Sequence, residues 1–216
     1  MSLLDRLLGR GGKEAKPKAL AVVRNVTVGR TVVVDPLAWR RLGPGAAFSL
    51  DRDTLEITAQ GLVKLDAGGW VHRFYTDDHI MLQMVSDDPE GMLANDFTVF
   101  APWSSRYPDN ATAKAEWLSR LGAPTFKEPG LPAFDRFWFA EEPGRQAPVT
   151  FWEDIFDDRE AREPYARIFQ RCMLFAREIG DEGRELLLAI AQETEGGELS
   201  HEIMVGAPLG VAEFRA

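Results

Sequence analysis

The stretch WVHRFYTDDHIMLQM, residues 70–84, holds two of the chain's three histidines, His72 and His79, with Asp77 and Asp78 between them. Imidazoles and carboxylates are the groups that ligate divalent metals and exchange protons near neutral pH. A shared site fails on geometry. With Asp77-Asp78 as a two-residue turn, Thr76 pairs with His79, Phe74 with Met81 and His72 with Gln83. Paired residues share a face, so both rings point the same way, about 13 Å apart along the strand at ~3.3 Å per residue. One metal cannot reach both, because a metal–imidazole bond is about 2 Å long. A three-residue turn would send the rings to opposite faces. The aspartates are good turn formers whatever the function.

What survives is His72 between Trp70 and Phe74. In this register Val71, Arg73, Tyr75, Ile80, Leu82 and Met84 line one face, and Trp70, His72, Phe74, Met81 and Gln83 the other. Both faces are largely apolar, so the hairpin is expected to be covered on both sides. His72 then reads as a core-edge histidine with one hydrogen-bond partner. Its functional reading is the general base of a hydrolase-type enzyme, working with a carboxylate from another strand.

Other templates give less. The acidic run EDIFDDREAREP, residues 153–164, lacks the alternation and central glycine of a calcium loop and reads as a solvated segment before a strand. GRGGKEAK lacks phosphate-loop spacing, and no Gly-x-Ser-x-Gly elbow occurs. His201 reads as a surface residue roughly opposite Gln192. Cys172 is the chain's one cysteine, which excludes an internal disulfide and a cysteine-based zinc site and favours a reducing cytosol. Inside a strand it reads as a small buried hydrophobe. No cofactor and no metal site is expected.

The elements that must position these groups are mostly strands. TLEITA, LVKLDA, WVHRFYT, IMLQMVS and FTVFAPW follow one another with turn signals between them, as an antiparallel meander does. NATAKAEWLSRLG is the one long helix, near 110–121, with Asp109 or Asn110 as cap, Gly122 as stop, and Trp117, Leu118 and Leu121 along its buried edge. Asp35-Pro36 opens a short helical turn that ends at Gly43. Residues 165–178 tolerate a helix by composition, yet apolar and polar residues alternate there and hairpins follow, so a strand is expected. The fold class is α+β, predominantly antiparallel β-sheet: two meanders, about 20–103 and 134–207, packed together with one principal helix. Residues 19–216 form a single β-rich domain in this reading, with two subdomains (about 19–105 and 124–216) as the alternative division.

Residues 1–18 read as a flexible amphipathic tail. Leu3, Leu4, Leu7 and Leu8 share one side of a short helix and form a docking face. Residues 1–20 hold five Lys/Arg against two Asp/Glu, a net of +3, which leaves −12 on the rest of a chain whose total is −9. Such a tip suits a partner helix or an anionic membrane surface. Asp5 and Arg6 interrupt the apolar run, so it is not a secretory signal. The acidic total argues against nucleic acid, which needs clustered Lys and Arg.

The stretches GRTVVVDPLAWRRL, WVHRFYTDDHIMLQ, GAPTF and ELLLAIAQETEGGELSHEIMVG together resemble the YjfK-like family of uncharacterised bacterial proteins, a domain of unknown function. The resemblance runs from about residue 20 to the end, with the MSLLDRLLG start. It implies a cytosolic bacterial protein and, by genomic company, association with membrane-stress machinery such as phage-shock-type coat proteins. It supplies no catalytic residue. The expected function is a non-enzymatic cytoplasmic accessory or adaptor protein, peripheral to the inner membrane through residues 1–18, with a protein partner. The alternative is the hydrolase that uses His72. The residues do not set an oligomeric state.

Overall fold

From residue 59 onward apolar side chains recur at alternate positions in short runs, and each run forms a strand. A computed structural model describes residues 20–66, 68–180 and 183–216. The expected docking face of Leu3, Leu4, Leu7 and Leu8 lies outside the described residues.

In chain order, β1 (Thr31–Val34), helix α1 (Leu37–Arg40) and β2 (Thr54–Glu56) precede a first meander of β3 (Ala59–Lys64), β4 (Trp70–Tyr75), β5 (Met81–Ser86) and β6 (Asp96–Arg106). Helix α2 (Ala111–Leu121) and the short β7 (Thr125–Phe126) and β8 (Phe134–Arg136) follow. A second meander runs through β9 (Val149–Phe156), β10 (Ala166–Ile179), β11 (Gly183–Thr194) and β12 (Leu199–Leu209), and β13 (Phe214–Arg215) closes the chain. The stretch that tolerates a helix by composition is a strand, β10, paired with β11 from Ile168↔Thr194 to Ile179↔Gly183.

The expected packing of two meanders as separate sheets is corrected. Strand β3 pairs with β9, from Gln60↔Phe156 to Val63↔Glu153. Strand β6 pairs with β12, from His201↔Arg106 to Leu209↔Phe97. The first strand of each meander thus finds the first of the other, and the last finds the last. Among the described residues, eight antiparallel strands close into one barrel, drawn from both the 19–105 and the 124–216 stretches. Closure satisfies the four meander edges, which would otherwise expose unpaired N–H and C=O groups.

Alternation splits the apolar side chains into two cores. One fills the barrel: Val63, Val71, Met81, Phe100, Leu174, Leu188 and Met204 are among it. Here Gly206 makes room, since a Cβ on it would lie 2.5 Å from the Phe100 ring. The other core coats the outer wall, where Phe74, Leu82, Val99, Phe175, Leu187 and Val205 meet the small β1–β2–β13 sheet and both helices.

The helices start where the sequence says. Asn110 Oδ1 accepts from Ala113 N at 2.9 Å, and the Trp117 indole then donates to Ile190 O at 3.0 Å, tying α2 to β11. Asp35 Oδ1 accepts from Leu37 N at 2.9 Å to open α1. Among the described residues no helix is long and apolar enough to cross a membrane.

Candidate functional site

The turn after β4 is one residue longer than expected. Tyr75 pairs with Met81, Phe74 with Leu82, Arg73 with Gln83 and His72 with Met84. Asp77, Asp78 and His79 form the loop, and His79 takes a left-handed φ of 65°. Thr76 holds it: its amide donates to Ile80 O at 3.0 Å, and its hydroxyl donates to Asp78. A slip of one residue flips the whole of β5 to the other face. Val71, Arg73 and Tyr75 therefore share the barrel interior with Met81, Gln83 and Val85, while His72 faces outward with Leu82 and Met84.

Inside the barrel Arg73 meets Glu153 of β9. Arg73 Nη1 lies 2.8 Å from Glu153 Oε2, and both residues are buried. The expected solvated acidic run is corrected at its first member: Glu153 is 0 % exposed. Both its oxygens are engaged, with the Tyr75 hydroxyl donating to Oε1 at 2.6 Å and Gln170 Nε2 donating to Oε2 at 2.6 Å. Arg73 also donates to Gln170 Oε1 at 2.7 Å and, through Nε, to Gln83 Oε1 at 3.0 Å. Its guanidinium lies 5.2 Å from the Phe151 ring centre. A buried pair of this kind is tolerable only because further hydrogen bonds offset the desolvation of both charges.

The electrostatics leave this layer chemically quiet. Burial, the largest single effect, opposes the Arg73 charge, but Glu153 together with Tyr75 and Cys172 outweighs it and holds the guanidinium above its ordinary range. Burial, then the Glu153 charge, push the Tyr75 phenol well above 10. Burial pushes the Cys172 thiol up to about 12, and its Sγ lies 3.4 Å from Gln170 Oε1. At neutral pH the layer offers neither a thiolate nor a phenolate, and the one carboxylate is fully engaged.

The network is a floor with a mouth on each side. Tyr75 and Gln170 face a cleft of about 310 Å³ near Tyr107 and Glu202. Arg73 and Gln83 face a wider one of about 640 Å³, walled by Val71, Val85, Trp138, Phe139 and Phe151, with Asp66 and Asp96 at its rim. The segment that brings the aromatics there is nailed down. Phe137 N and Trp138 N both donate to Leu174 O, at 2.9 and 3.3 Å. The Arg136 guanidinium donates to Gly144 O at 2.7 Å, Glu142 O at 2.5 Å and Phe139 O at 3.2 Å. Phe139 is held at φ 60°, a region an aromatic residue seldom occupies, with its ring 47 % exposed.

Asp96 stands opposite Val85 on the inward face. Burial of its carboxyl raises its pKa, and no cation opposes that shift.

His72 is 0 % exposed, and neither ring nitrogen makes a hydrogen bond. Among the described residues no side chain hydrogen-bonds the ring, and the Asp88 backbone is the polar group that acts on it. Burial lowers its pKa, against a smaller opposing effect of Asp88. His201 is corrected from a surface residue: it pairs with Ala191, is 7 % exposed, and stacks on Trp117 at 4.7 Å with planes 6° apart. Among the described residues no group of three or more His, Cys, Asp or Glu could hold a metal ion.

Sequence reasoning missed the Arg73–Glu153 pair, although half of the signal was there. Val149, Phe151 and Ile155 alternate with Glu153 in their register, so a charge sits on an apolar stripe. Arg73 does the same between Val71 and Tyr75. Two opposite charges on two apolar stripes point to a buried pair.

A family model described as "Protein of unknown function (DUF2491)" matches residues 4–215. The chain belongs to this family. No curated protein and no solved structure matches it. The description of the DUF2491 family names no activity.

Proposed function

We propose that this protein is a non-enzymatic binding module, an accessory or adaptor protein that takes an apolar segment of a protein partner into the wider mouth of its barrel. The observation that carries the reading is the cleft of about 640 Å³ with Trp138, Phe139 and Phe151 in its wall. Ligand sites are typically roughly 300–1,000 Å³, mostly apolar, and frequent at barrel mouths. The ionisable groups of the floor are committed to one another, and His72 is sealed away without a partner. Both features favour binding over proton transfer.

The net +3 of the first twenty residues and the leucine face of Leu3, Leu4, Leu7 and Leu8 support a second contact, to a partner helix or an anionic membrane surface. The resemblance to YjfK-like proteins supports a cytoplasmic place beside membrane-stress machinery. Affinity purification from the native bacterium tests the mouth: a partner retained by the full chain is lost with Phe139→Glu, whose circular dichroism stays native. Equal recovery of that partner by both chains overturns the site. Equal flotation with anionic vesicles, with and without residues 1–18, overturns the docking role of the tail.

A further inference from the structure

We infer that the segment taken into the wider mouth is cationic as well as apolar, a Lys or Arg beside aliphatic residues, with its charge coming to Asp96 and Asp66 at the rim. The inference rests on the binding reading of that mouth and names the chemistry of its partner.

The strand register supplies the first reason. Asp96 pairs with Val85 on the face that lines the barrel, and it stands exposed where that face meets solvent at the rim of the cleft. The second is that no cation among the described residues pairs with it. Arg73, the one cation of the lining, already gives its charge to Glu153 and its remaining donors to Gln170 and Gln83. Asp66 and Asp96 form no ion pair among the described residues. Both carboxylates are exposed to solvent beside the apolar wall, open to an incoming cation.

The wall also suits a cation. Phe139 lines the cleft half exposed, its backbone carbonyl held by Arg136, and aromatic rings attract ammonium and guanidinium groups. The net −12 outside the first twenty residues steers a basic segment toward the body at long range. An anionic chain, such as a fatty acid, would instead meet two carboxylates and no free cation. Leu65, Val71 and Val85 then receive the aliphatic neighbours of the bound Lys or Arg.

Two labelled synthetic peptides with one shared leucine pattern, differing only in Lys or Glu at the polar positions, test this by fluorescence anisotropy on the full chain. The Lys peptide binds more tightly by about tenfold or more, the scale of one charge-assisted contact. Its affinity falls with added salt, and Asp66→Asn/Asp96→Asn removes most of both the preference and the salt dependence. Phe139→Glu abolishes the apolar seat for either peptide. Equal, salt-independent binding of both peptides overturns the cationic inference and leaves the mouth as a binding site. Tighter binding of the Glu peptide does the same. Binding of neither peptide overturns the mouth itself, and the inference with it.

Discussion

Glu153 occupies the space in which a side chain on Gly61 would begin: a Cβ there would lie 1.8 Å from Glu153 Oε1 and 2.7 Å from its carboxyl carbon. The carboxylate cannot swing aside, because Arg73, Tyr75 and Gln170 hold its two oxygens. Gly61→Ala must therefore break that network or spread β3 from β9. The expected loss is about 2–4 kcal/mol, the range of overpacking combined with a disrupted buried network. Urea unfolding measures it, and a loss below about 0.5 kcal/mol would show that the carboxylate can relocate.

The Arg73–Glu153 pair predicts a non-additive double-mutant cycle. Arg73→Met leaves an unpaired buried carboxylate, and Glu153→Gln leaves an unpaired guanidinium; each is expected to cost about 3–5 kcal/mol. The Arg73→Met/Glu153→Gln chain should lose clearly less than the sum of the two, since no lone charge remains. Additive losses would mean the two residues contribute independently.

Cys172 should be unreactive in the native protein. With its thiol pKa at about 12, roughly one molecule in ten thousand carries a thiolate at pH 8. A disulfide reagent should label it at pH 8 only after denaturant is added. The raised pKa also means the folded state holds a proton that the unfolded state releases. This contribution to stability is complete below the thiol's ordinary pKa of 9.0 and is lost as pH rises from there toward about 12. Rapid native-state labelling would contradict the burial.

His72 acts at the acid end. Its pKa is lowered from 6.5, first by burial, so the folded protein keeps it neutral while the unfolded chain protonates. The stability it contributes is present above pH 6.5 and is lost as pH falls through the folded value. One such group gives a slope of up to about 1.4 kcal/mol per pH unit. His201 is lowered in the same direction, with burial again the largest cause and Arg120 and Lys114 adding to it. His72→Leu should remove its share of the acid slope and leave stability at pH 7 equal or higher, because a buried polar ring without a well-formed hydrogen bond is replaced by an apolar side chain. A steep loss at pH 7 would point to a hydrogen bond on that ring.

Local features were legible in the sequence wherever their cause was local. Asn110 caps α2 because its own side chain reaches Ala113, and Trp117 and Leu121 bury themselves at helical spacing. Residues 166–179 form a strand because their alternation matches the pleat and the hairpins that follow supply a partner. The length of the turn after Tyr75 was not legible. His79 takes the left-handed conformation without a glycine to announce it. That single residue decides which side chains of β5 join Arg73.

The sequence alone determined a β-rich chain of two meanders, one capped helix, an acidic body and a basic leucine-bearing start. Only the tertiary structure decided that the meanders seal into a barrel, since β3–β9 and β6–β12 pair residues some ninety or more positions apart and nothing local encodes which edge meets which. Closure in turn brought Arg73 to Glu153, set Asp96 at the cleft rim and opened the cleft beside Phe139. Side-chain alternation is written residue by residue, but the inside of a barrel exists only once its last pair of strands has joined.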